Sequence, residues 1–351
     1  MKAPGHESGH AQPVPAHAAA EASAPPVGFS WETVVLAFVS EAGGWAALSD
    51  ELLRRTRGVA AVPSDPHVVE KGLRRLAKRG QKPGGQYGRW LLRYFGVPAS
   101  LERWAEWMGQ FHSRFADLPT SLRFEQLNLW DRPPVTESRL AAWVHVGMAS
   151  VLLRMRLEID ATRRLELAEA SAAQAGTACQ VEVALLRAKL LTDAGDRDGS
   201  RLLFERIEAW LTAPELSTDA RACYHARLIG QRAYHLTRAL PGSEPDVSGA
   251  LELFQQIHDE PFIPFVAFRK SNGVAYCRWR LGDTAAGIAE ARRALQHAGD
   301  GGLVRFRIMA LNLLARMLPE AESSAVRQRA ETLSRLVEDD DLLRRLRVPW
   351  R

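Results

Sequence analysis

Three stretches of the chain repeat one spacing: a small residue, a second small residue twelve positions later, then apolar or small residues four and three further on. They are Ala149, Ala161, Leu165 and Ala168; Ala188, Ser200, Phe204 and Ile207; and Ala275, Gly287, Ala291 and Ala294. In the last two, Gly195-Asp196 and Gly282-Asp283 fall between the first pair of positions, where two antiparallel helices must reverse. Steps of four and three keep side chains on one helical face, and small side chains let two helix backbones approach closely. The spacing therefore predicts stacked helical hairpins in an all-α chain.

Five hairpins are expected between Thr136 and Leu336, over 137–173, 177–212, 217–259, 263–299 and 302–337. The third carries an enlarged loop at 240–247 with Pro241, Gly242 and Pro245, the kind of insertion often placed on one face of a solenoid. The fifth is degenerate. A last helix is expected after the acidic run 338–341, with Arg344, Arg345 and Arg347 near its end, so that charge matches the helix dipole at both termini. This region of about 200 residues resembles the tetratricopeptide family, although the family's early Trp and central Tyr are replaced here.

The resemblance implies an α-solenoid interaction scaffold whose first helices line a groove for an extended peptide, a helix or a protein. If Ala149, Ala188, Gly230 and Ala275 are equivalent positions, the groove residues are Arg154, Lys189, Arg227, Gln231, Tyr234, Arg269, Asn272, Tyr276 and Arg280. Cationic and amide groups between tyrosines suit an acidic peptide or a carboxylate. The same set is equally what a solvated groove in an Arg-rich protein presents.

The N-terminal third reads differently. Residues 1–28 are rich in Ala, Pro, His and Gly and fit a disordered tail rather than a secretory signal. From Phe29, helices are expected over 31–41 and 46–56, then over 66–79 with Ser64 or Asp65 as cap and Pro66 at the first position. That third helix has Val68, Val69, Gly72, Leu73 and Leu76 as its inner face. Further helices are expected at 87–95, 101–115 and 121–130, the second carrying Trp104, Trp107, Met108, Phe111 and Phe115 at helical spacing. Such a stripe is read as core, and His112 beside it as a buried polar contact. The domain boundary is placed at Arg132-Pro133-Pro134, giving a basic helical domain over 29–132 and a repeat array over 136–351.

The formal charge is only +5, yet 71–93 holds eight basic residues and no acidic one. Lys71, Arg74, Arg75 and Lys78 fall at three and four spacing, opposite Val69, Leu73 and Leu76. The segment 65–80, with Leu73-Arg74-Arg75-Leu76 leading to Lys78-Arg79-Gly80, is similar to the recognition helix of bacterial helix-turn-helix regulators. The similarity implies double-stranded DNA as a partner, with Lys71, Arg74, Arg75, Lys78, Arg79 and Lys82 as contacts. A winged variant would place 82–86 in a hairpin. Alternatively the basic face is plain surface or seats a protein, and the chain is an interaction adaptor that does not bind nucleic acid.

No Gly-rich phosphate loop, His-Glu-x-x-His or Gly-x-Ser-x-Gly motif occurs, so neither enzymatic activity nor a cofactor is expected. Cys179, Cys223 and Cys277 lack paired spacing and are read as buried thiols rather than disulfides or metal ligands. His6, His10 and His17 are not expected to form a metal site. The longest nearly apolar run, 141–153, carries His145 and is about half a membrane span, so a buried helix is expected, with no membrane association and a cytoplasmic location.

Overall fold

The computed structural model describes residues 29–59, 61–238, 244–260 and 262–347; the expected tail with its three histidines, and 240–243 of the enlarged loop, lie outside them. Among the described residues there are seventeen α-helices and no strand. The first three are α1 (Trp31–Ala42), α2 (Trp45–Arg55) and α3 (Pro66–Ala77), and each packs on the other two. The Asp65 carboxylate accepts from His67 N at 2.9 Å, and Pro66 takes the first position, where its missing N–H leaves no bond unmade. Gly72 lies under the Tyr87 ring, where a Cβ would come within 2.0 Å of Cζ. Three more helices follow: α4 (Gly85–Tyr94), α5 (Ala99–Gly109) and α6 (Thr120–Trp130).

The array consists of the five expected hairpins. They are α7 (Ala141–Arg154) with α8 (Glu158–Ala175), α9 (Thr177–Ala194) with α10 (Arg197–Trp210), and α11 (Thr218–Thr237) with α12 (Val247–Gln255). Then come α13 (Pro264–Arg280) with α14 (Thr284–Asp300), α15 (Val304–Met317) with α16 (Glu320–Leu336), and a final α17 (Asp340–Arg347). All twelve positions of the repeated spacing are buried. Gly195 and Gly282 adopt left-handed φ values of 89° and 91°, closing α9 and α13. The next residues, Asp196 and Asp283, cap α10 and α14 by accepting from Gly199 N and Ala286 N. One dipeptide thus stops a helix and starts its partner.

The first helices α7, α9, α11, α13 and α15 touch in succession and form the inner wall, and α17 returns to contact both α15 and α7. The array closes on its own beginning. Asp339, fully buried, joins the two ends: its Oδ2 lies 3.0 Å from Arg305 Nε and 3.8 Å from Arg154 Nε. One apolar cluster runs from Phe29 through Trp130 and Trp143 to Val183, crossing Arg132–Pro134.

Three expectations are corrected. The helix expected over 101–115 ends at Gly109, where a Cβ would strike Trp143 O at 2.7 Å; residues 110–113 are irregular and a 3-10 turn occupies Arg114–Asp117. No strand pair forms at 82–86; the chain enters α4 directly. Val68, expected on the inner face of α3, is 46% exposed, because the buried set Val69, Gly72, Leu73 and Leu76 is centred away from it.

Candidate nucleic-acid interface and filled groove

The outer face of α3 carries Lys71, Arg74, Arg75 and Lys78, all exposed, and Arg79 and Lys82 just beyond it are exposed as well. Arg74 is held in place: its Nε donates to Glu70 Oε1 at 2.8 Å, and its guanidinium lies 4.3 Å from the Trp45 ring centroid. Among the described residues the other five make no ion pair. In the first turn, His67 and Val68 are exposed beside this row. The far end of α3 is tied down by hydrogen bonds to backbone carbonyls: Trp31 N donates to Gly80 O at 2.9 Å, and the Gln81 side-chain Nε2 donates to both Phe29 O and Leu129 O at 3.0 and 3.1 Å. Gly84 N donates to Glu137 Oε2 at 3.1 Å. The basic helix is thereby fixed relative to α6 and the start of the array.

The concave side of the array is not open. Residues 110–117 thread through it and touch all five inner helices. Phe111 N donates to Glu182 Oε1 on α9 at 3.3 Å. The Phe111 ring sits beneath two guanidinium groups, Arg227 of α11 at 4.7 Å and Arg305 of α15 at 5.2 Å, with Phe306 at 5.6 Å. His112 packs between Tyr224 of α11 and Phe265 of α13 at 5.3 and 5.4 Å. Arg154 Nη1 of α7 donates to Ala116 O at 2.6 Å, and Asp117 Oδ1 accepts from Arg305 N at 2.7 Å. Thr120 and Ser121 continue the contact onto Val337 O and the Glu338 carboxylate.

The nine residues expected in the groove separate into two groups. Arg154 and Arg227 are buried; Arg227 pairs with Glu182 at 2.5 Å. Gln231 Nε2 donates to Leu185 O at 2.8 Å, Arg269 lies across Gly230, whose missing Cβ leaves room for it, and Asn272 Oδ1 is buried. The remaining four form an outer set. Lys189 and Tyr234 share the Asp193 carboxylate, and Arg280 Nη1 donates to the Tyr276 hydroxyl at 3.1 Å. Glu182, Tyr224, Arg305 and Asp339, which complete the interior, were not among the expected residues. Glu182 alone had a local signal: a single acid inside the run Val181-Glu182-Val183-Ala184-Leu185.

Enclosure sets the electrostatics. Burial, reinforced by the Arg305 charge, pulls the Arg123 guanidinium down to about 9, and burial next to Arg227 pulls Arg269 down to about 10. Burial raises the Asp117 carboxyl. Burial would raise Asp339 too, but the Arg305 and Arg154 charges outweigh it and hold that carboxyl below its ordinary range. His112 is pushed down to about 3 by burial and by Arg227, so its imidazole is neutral at physiological pH. The three cysteines are free and buried, and burial raises their thiols, Cys223 and Cys277 to about 12. Among the described residues no cluster of His, Cys, Asp and Glu could hold a metal ion, and no helix is long and apolar enough to cross a membrane.

No protein-family model, no curated protein and no solved structure matches this chain.

Proposed function

We propose that the protein is a DNA-binding regulator whose repeat array takes a peptide or protein partner, acting in the cytoplasm. The observation that carries the first half is the row Lys71, Arg75 and Lys78 on the outer face of α3, exposed, unpaired and borne by a three-helix unit. A helix with one face in a core and the other cationic can enter the major groove, its first turn toward base edges and its basic side chains on phosphates. In that arrangement Lys71, Arg74, Arg75, Lys78, Arg79 and Lys82 neutralise phosphate, while His67 and Val68 sit nearest the bases. The second half rests on the tetratricopeptide-like hairpin stack and its Arg-lined inner wall.

The test is duplex binding by the full chain and by Arg75→Glu/Lys78→Glu across about 50 to 200 mM salt. Loss of two phosphate contacts lowers the slope of log affinity against log salt by about two. Equal affinity and equal slope for the two proteins would remove DNA from the reading. The adaptor reading, in which α3 docks a protein instead, is favoured by one observation: Arg74 is already engaged by Glu70 and Trp45. It takes over if duplex binding is absent.

A further inference from the structure

The inner wall of the array is occupied by the protein's own chain, and the fit is incomplete. Against residues 110–117, Tyr224 OH and Arg154 Nη2 are enclosed without a hydrogen-bond partner in the protein, and so are His112 Nδ1 and Asp117 Oδ2 of the segment itself. Each such group is costly to enclose unpaired. The charge is also unbalanced: Arg123, Arg154, Arg227, Arg269 and Arg305 surround the segment. Glu182 and Asp339 are the acids paired with them, Asp341 lies near Arg305 and Glu106 near Tyr224, and the segment brings only the Asp117 carboxylate. Arg114 of the segment offsets even that.

We infer that residues 110–117 are an internal occupant of a site that takes an acidic peptide bearing an aromatic residue, and that such a peptide displaces them. This rests on the partner-binding reading of the array and specifies it. The recognition elements are those the segment already uses: an aromatic ring within reach of the Arg227 and Arg305 guanidiniums, a backbone N–H on Glu182, and a carboxylate at the α15 N-terminus. A partner carrying further carboxylates would satisfy donors that the segment leaves idle. Because the segment is followed after a few residues by α6, whose Leu129 carbonyl holds Gln81 behind α3, its removal acts on the support of the basic helix.

The experiment uses the full chain and two capped peptides, one copying residues 110–118 and one identical but for Arg114→Glu. Titration calorimetry is run on wild type and on Phe111→Ala/Asp117→Asn. A tethered competitor acts at an effective concentration in the millimolar range, so weakening it tightens apparent peptide binding by about tenfold or more. The Arg114→Glu peptide binds more tightly than the copy, and salt weakens it. Equal affinity for wild type and variant overturns displacement while leaving the array a peptide binder, and no binding to either protein overturns that parent reading as well. A more acidic peptide that binds no better than the copy overturns the charge class. Should the variant not fold, hydrogen exchange on wild type decides: amides 111–117 lose protection with peptide at about 1 mM, and unchanged protection sinks the proposal.

Discussion

The Arg227 and Glu182 side chains retain 5% and 3% of their exposure, so neither charge can be left alone. Glu182→Ala strands a buried guanidinium and removes the acceptor for Phe111 N; a loss of about 3 to 5 kcal/mol in denaturant-induced unfolding is expected. Glu182→Leu combined with Arg227→Met, which removes both charges, recovers most of that loss. His112 gives a pH signature. Its folded value of about 3 lies below the ordinary 6.5, so the unfolded chain takes up the proton first and stability falls as pH drops below 6.5. From pH 7 to pH 5 the expected loss is about 2 kcal/mol, and His112→Gln should flatten the dependence of Tm on pH across that window. At this scale the sequence was least legible. Phe111 and Phe115 stand at helical spacing from Trp104 and Met108, yet lie beyond the end of that α-helix, Phe111 in irregular chain and Phe115 in a 3-10 turn, since the acceptor that captures Phe111 N lies 71 positions away. Nothing local encodes such a partner.

Among elements, the hairpins were legible because everything that makes them is local. The small-residue stripe, the left-handed Gly and the capping Asp lie within a few turns of one another, and each acts on its own pair of helices. Gly287 shows how tight the result is: a Cβ there would stand 3.0 Å from Met317 Sδ and 3.2 Å from Ala275 O. Gly287→Leu must therefore part α13 from α14, with an expected cost of about 1 to 3 kcal/mol, measurable as a lowered Tm with helical content kept. The nine expected groove residues were harder. Their helices were correctly placed, but which side chains are enclosed depends on a segment that precedes the array in sequence. Val68 fell on the wrong face of α3 because the inner stripe of that helix is narrow.

For the whole molecule, the consequence lies in how it comes apart. An open solenoid is held by nearest-neighbour interfaces and can fray hairpin by hairpin from its ends. Here Asp339 ties α15 to α7 and one short segment touches every inner helix, so no hairpin is terminal in the energetic sense. Unfolding should be a single transition, coincident by far-UV circular dichroism and tryptophan fluorescence, despite a length at which arrays often melt in stages. Asp339→Ala with Phe111→Ala should split it into two. A chain folded this way responds as one cooperative unit, so an event at the concave side is felt at both of its ends.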